Sequence, residues 1–182
     1  MNRVIVIGGG VRSGKSAFAL ERARELGPRR AFLATAQAFD DEMRDRIAQH
    51  RRERGPDFAT IEEPLAVPEA IAALRDVDVV VVDCLTLWLS NLLLIDAAPA
   101  PILRRVDDLV AVLARRACHA ILVTNEVGMG VVPPSPLGRA FRDVCGIAHQ
   151  RLAAIADEVD IAMLGAILRI HPAPVALARP LR

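Results

Sequence analysis

Eight consecutive residues carry the plainest chemistry in this chain. Gly9, Gly10, Val11, Arg12, Ser13, Gly14, Lys15 and Ser16 read GGVRSGKS, with the spacing Gly-x-x-x-x-Gly-Lys-Ser. Glycines at such positions let the backbone curl until successive N–H groups point at one phosphate. The lysine then reaches the β and γ phosphates of a nucleoside triphosphate, and the serine hydroxyl is a Mg²⁺ ligand. Of the 23 basic residues, Lys15 is the one lysine. Where every other basic position is arginine, a lysine kept here answers a need for a compact ammonium rather than a planar fork.

Two further candidates stand apart from this loop. Asp83 closes the run VDVVVVD at 77–83. A carboxylate at the end of a core strand is what a Mg²⁺-nucleotide site requires, and its burial is costly unless it is paired or bound to metal. The plainer alternative is a cap for a helix starting at Leu85. His50 lies in DDEMRDRIAQHRRER at 40–54. On a helix Arg46 and His50 share a face that Arg54 continues, with Arg51 and Arg52 flanking. From pattern alone, that helix is a solvated charged surface with Glu42 and Arg46 as an ion pair.

These residues need elements to hold them. Val4 to Ile7, short and β-branched, reads as a buried parallel strand that delivers the phosphate loop. A helix over 14–26 follows and stops at Gly27-Pro28. Its N-terminus adds a positive end to the phosphate site. Strands are expected at 30–35, 77–83, 119–124, 159–164 and 167–170, with a short strand or loop at 60–64. Helices are expected at 40–54, 67–75, 85–94, 102–116 and 137–157, with 96–101 a loop. The alternation predicts an α/β fold of the P-loop NTPase, RecA-like class over 1–182: one domain with a mostly parallel sheet and helices on both faces. Ligands in such sheets sit at the carboxyl ends of the strands, so the phosphate loop, Thr35, Asp83 and Asn125 share one rim.

Composition narrows the function. A formal net charge of +1 gives no field for nucleic acid, and 3% aromatics with no tyrosine leave no base-stacking surface. Cys84, Cys118 and Cys145 are far apart and odd in number, which fits reduced cysteines in a cytoplasmic protein. The initial apolar run is too short for a signal peptide, and no stretch reaches the roughly 20 apolar residues of a membrane span.

The stretches GGGVRSGKS at 8–16, LATAQAFDDEMRDRIAQHRRER at 33–54, VTNEVGMGVVP at 123–133 and GRAFRDVCGIAHQRLAAIADEV at 138–159 together resemble the bifunctional adenosylcobinamide kinase / adenosylcobinamide-phosphate guanylyltransferase family. The resemblance implies that an NTP (ATP or GTP) phosphorylates the corrinoid substrate adenosylcobinamide. GTP then guanylylates a histidine, and GMP passes to the phosphate to give adenosylcobinamide-GDP. It implies His50 and Lys15 as catalytic residues, and Ser16 and Asp83 as ligands of Mg²⁺. Nucleotide contacts would come from Gly9 to Ser16, from Ala34, Thr35 and Ala36, from Arg51, Arg52, Glu53 and Arg54, and from Glu62 and Asp83. It also implies a homo-oligomer, a trimer, for which the apolar helix at 85–94 is a plausible interface. His149 stands where the family more often has asparagine, and Phe32 and Phe58 where larger aromatics are expected.

Physics fits the transfer. A histidine nucleophile must be neutral, and nearby arginines disfavour the imidazolium while binding the triphosphate and the leaving pyrophosphate. Two rival readings remain: a plain small-molecule kinase, which forms no covalent GMP adduct, and a RecA-like NTP-dependent switch or motor, whose turnover would respond to DNA or a partner.

Overall fold

The structure, a computed structural model, describes residues 1–38 and 41–180, with the side chains at 42, 43, 46, 53 and 176–180 outside that description. Its elements in chain order are β1 Val4–Gly9, α1 Lys15–Leu26, β2 Arg30–Ala34, α2 Asp41–Arg54, β3 Phe58–Glu62, α3 Val67–Ala73, β4 Val79–Asp83, α4 Leu85–Ile95, α5 Pro99–Ala114, β5 His119–Val123, α6 Pro136–Ala153, β6 Glu158–Met163, β7 Ala166–His171 and β8 Ala176–Pro180.

The strands form one sheet in the order β3-β2-β4-β5-β1-β6-β7-β8. All pairs from β3 to β6 are parallel, and β7 and β8 add on antiparallel. Alternate residues of each central strand enter opposite cores. Val4, Val6, Val80, Val82 and Leu122 pack with α3, α4, α5 and α6. Ile5, Ile7, Val79, Val81 and Ile121 pack with α1 through Phe18, Ala19 and Ala23. Burial on both faces is why these strands read as unbroken apolar runs rather than alternations.

Several boundaries differ from the sequence expectation for physical reasons. The prolines at 99 and 101 suggest a loop, yet α5 begins at Pro99; proline suits a first helical turn, where its missing N–H has no partner to lose. The helix expected to reach 157 ends at Ala153. Asp157 lies beyond it, and its Oδ2 accepts the N–H of Val4 at 2.7 Å. Strand β3 is definite, anchored by Phe58 edge-on to Phe32. Strand β8 has no counterpart in the sequence expectation; it extends the sheet beyond Pro172 and Pro174.

Helix α4, a plausible interface by sequence, is instead core. Trp88 and Leu89 are 0% exposed, and Trp88 Nε1 donates to Leu65 O at 2.9 Å. A helix apolar all round is a buried helix, and here the chain itself covers it, leaving Leu94 and Ile95 exposed at its end. Among the described residues no helix is long and apolar enough to cross a membrane.

The order of strands fixes the site. It places β5 between β1 and β4, so the carboxyl end of β5 lies between the phosphate loop and Asp83.

Candidate active site

The phosphate loop joins β1 to α1. Gly9 has φ 151°, and a side chain there would meet Ala162 O at 2.6 Å and Ser13 Oγ at 2.8 Å. Gly14 holds a left-handed φ of 86° immediately before α1, a conformation glycine adopts without strain. Lys15 is buried at the first position of the helix, and its Nζ donates to Gly10 O at 3.0 Å. Burial lowers its pKa, against the opposing pull of Cys84 and Asp83. Ser13 Oγ is buried inside the loop with no hydrogen-bond partner among the described residues. An unpartnered hydroxyl beside a cradle only glycine fits suits a bound anion.

Asp83 faces this loop from the end of β4. The Ser16 hydroxyl and the charges of His50, Lys15 and Arg54 all act on its carboxylate. Burial pushes its pKa up; His50, Ser16, Lys15 and Arg54 pull against that. A hydroxyl and an enclosed carboxylate side by side are hard oxygen donors of the kind Mg²⁺ takes, so the residues present fit that ion.

Helix α2 brings the third component. His50 is exposed on it, yet within electrostatic reach of Asp83. Arg54, 4% exposed, lays its guanidinium 4.0 Å over the Phe32 ring. Burial lowers its pKa, as does Arg51, with Asp83 opposing. Arg51 pairs with Glu62, which ties the end of α2 to β3. Arg52 is exposed. The side chains of Glu53 and Arg46 lie outside the described residues, as does Asp40, the expected start of the helix.

Thr35 differs from its expected part. It is fully buried, and its hydroxyl accepts from the Cys84 N–H at 2.9 Å and donates to Cys84 O at 2.8 Å. Its own N–H donates to Asp83 O at 3.2 Å, and Asn91 Nδ2 donates to its carbonyl at 2.8 Å. Every polar group of Thr35 is thus engaged within the chain, bracing the ends of β2 and β4; Ala34 and Ala36 beside it are half-buried at the rim.

Beyond β5 the chain is laced to the phosphate loop. Thr124 N–H donates to Ile7 O at 3.0 Å and Glu126 N–H to Gly9 O at 3.1 Å. Asn125 Nδ2 donates to Thr86 Oγ1 at 3.0 Å, on the first turn of α4. His149 sits behind this segment, with Nε2 2.7 Å from Thr124 Oγ1. Burial lowers its pKa, with Glu126 opposing. It is therefore a partner of the segment that leaves β5. Of the other histidines, His119 Nδ1 accepts the Arg3 N–H at the amino ends of the strands, and His171 is exposed at the end of β7.

On the other side of the loop lies a network that the sequence did not announce. Glu158 accepts from Arg3 at 2.8 Å, Arg22 at 2.9 Å and Arg169 at 2.7 Å. Asp160, 1% exposed, accepts from Arg169 at 2.9 Å. The network pins α1, and with it the phosphate loop, to β6 and β7.

Among solved structures, the fold is similar to the RadB recombinase (TM-score 0.55, 16% identity, covering 99% of this chain and 81% of that chain). It is also similar to a solved ATPase domain (TM-score 0.56, 12% identity, 97% and 80%). At such identities the likeness concerns the fold: a RecA-like P-loop core. Sequence relatives are far nearer. The bifunctional adenosylcobalamin biosynthesis protein CobP of Pseudomonas aeruginosa is 40% identical over 168 residues, covering 92% of this chain and 96% of the relative. The CobU proteins of Escherichia coli and Salmonella typhimurium are 37% and 38% identical over 180 residues, covering 92% of this chain and 99% of each relative. The CobU family model matches residues 5–170, from the strand before the phosphate loop through the histidine helix to the end of β7. A glycine-built phosphate loop after β1 and an acid at the end of β4, carried on a sequence matched along nearly its whole length, place this chain in the cobinamide kinase / cobinamide phosphate guanyltransferase family.

Proposed function

We propose that this protein phosphorylates adenosylcobinamide with a nucleoside triphosphate and then moves GMP from GTP onto the product through His50. One observation carries the reading. The charges of Lys15 on the phosphate loop and of His50 and Arg54 on α2 all bear on the Asp83 carboxylate, which supports one triphosphate site served by both elements.

In the kinase step the substrate hydroxyl attacks the γ-phosphorus and its proton leaves. The bond to the β–γ bridging oxygen breaks, and NDP departs. Lys15 and the loop N–H groups hold the β and γ phosphates and the charge that develops on them. In the second step a ring nitrogen of His50 attacks the α-phosphorus of GTP and pyrophosphate leaves. Arg54 and its neighbours Arg51 and Arg52 supply cations for that charge. The corrinoid phosphate then attacks the same phosphorus, the P–N bond breaks, and His50 is released. Splitting one displacement into two eases each. Ser16 and Asp83 would hold Mg²⁺, which when bound neutralises phosphate charge and orients the leaving group.

The experiment is incubation with α-labelled GTP and Mg²⁺, followed by mapping of the label. The label should sit on His50 as a phosphoramidate, stable to base and labile to acid. His50→Ala should form no adduct and transfer no GMP, while keeping kinase activity. An adduct on His149, or one undiminished in His50→Ala, would overturn the assignment. No adduct in the unmutated protein would favour a plain kinase.

A further inference from the structure

The carboxyl ends of β5, β1 and β6 are neighbours, because β1 pairs with both of the others in parallel. The three turns that leave them carry large apolar side chains into solvent. Val11 in the phosphate loop is 72% exposed; Met129, Val131 and Val132 after β5 are 76%, 95% and 61% exposed; Met163 and Leu164 after β6 are 40% and 98% exposed. A soluble chain scatters exposed apolar residues singly, and a cluster on one rim marks something that covers it.

The β6–β7 turn makes the point by its strain. Leu164 has φ 49° and Gly165 φ 79°. That is the pair of left-handed positions a tight hairpin gives to asparagine and glycine. Leucine there costs backbone energy and sets an apolar side chain in water, two penalties a purely structural turn would avoid.

We infer that this rim binds the corrin ring of adenosylcobinamide, with the ring's apolar face against Met129, Val131, Val132 and Leu164 and its hydroxyl-bearing arm directed into the phosphate loop. The inference rests on the proposed function. The acceptor hydroxyl must reach a phosphate held by Lys15, so the body of a large acceptor must lie against whatever borders the loop. That border is this rim, joined to the loop by the hydrogen bond from Glu126 to Gly9. A second copy of the chain is the competing occupant of this rim, and the sedimentation mass below tells the two apart.

Three measurements on Val131→Asp and Leu164→Asn test it: adduct formation from labelled GTP without corrinoid, equilibrium dialysis against adenosylcobinamide, and sedimentation mass. Both variants should bind the corrinoid about tenfold more weakly, as loss of one buried aliphatic contact predicts. Adduct formation and mass should not change, and Leu164→Asn should unfold at the same temperature or higher. Unchanged corrinoid binding overturns the inference. So does a fall in adduct formation, which would assign the rim to the nucleotide, or a fall in mass, which would assign it to a second copy. If the unmutated protein binds corrinoid but forms no adduct, the guanylyl reading fails while the rim stands; if it binds no corrinoid, both fail.

Discussion

At the scale of single residues the proposed function depends on a few groups. Lys15→Ala should abolish both phosphorylation and adduct formation, because both draw on one bound triphosphate. Lys15→Arg should fail as well: the helix start where Nζ meets Gly10 O is enclosed, and a planar fork does not fit a point-charge site. Near-normal kinase turnover by the arginine variant would refute the geometric argument. Asp83→Asn should leave metal-free nucleotide binding in place and weaken binding in the presence of Mg²⁺. Calorimetric titration with GTP, with and without the ion, distinguishes the two. The places of these residues, at the start of α1 and the end of β4, were legible in the sequence because a local pattern marks them. Thr35 was legible only as a position. That its hydroxyl serves Cys84 depends on two strands meeting, which no local spacing encodes.

At the scale of elements, the ends of β2, β4 and β5 are braced by side chains. Thr35→Val should leave the Cys84 N–H buried and unpartnered and cost about 1–3 kcal/mol, read as a lower urea midpoint. The bond from His149 on α6 to Thr124 gives stability a pH dependence of known sign. Burial holds the folded pKa below the ordinary value of 6.5. As pH falls through 6.5, the unfolded chain takes up a proton that the folded chain refuses. Stability therefore drops, by at most about 1.4 kcal/mol per pH unit, until the folded pKa is passed. His149→Asn should flatten that slope; equal slopes in urea melts at pH 7.5 and 5.5 would show that His149 does not cause it. The elements were largely readable, since periodicity and β-branching report burial. Helix α4 was readable as a helix, but its partner was not: an apolar run says that a surface is covered, and only the fold says by what.

At the scale of the molecule, the network of Glu158, Asp160, Arg22 and Arg169 joins the two ends of the chain. Arg22 and Glu158 are 136 residues apart, beyond anything a sequence pattern could link. Arg169→Met should leave Asp160 buried beside an apolar side chain and cost about 3–5 kcal/mol. Because β6 is paired directly to β1, the loss should appear as a lower temperature of one cooperative transition. A separate early transition of β7 and β8 would show that this edge folds independently.

The arginine-dominated composition has a practical consequence. With Lys15 the sole lysine, the chain carries two aliphatic amines, the N-terminus and the one at the phosphate site. An acylating reagent should label the exposed terminus first and Lys15 second, the latter aided by a lowered pKa and slowed by burial. Bound triphosphate should suppress the second label. The intact mass of the labelled protein would then count occupied phosphate sites directly, with no substitution made in the chain.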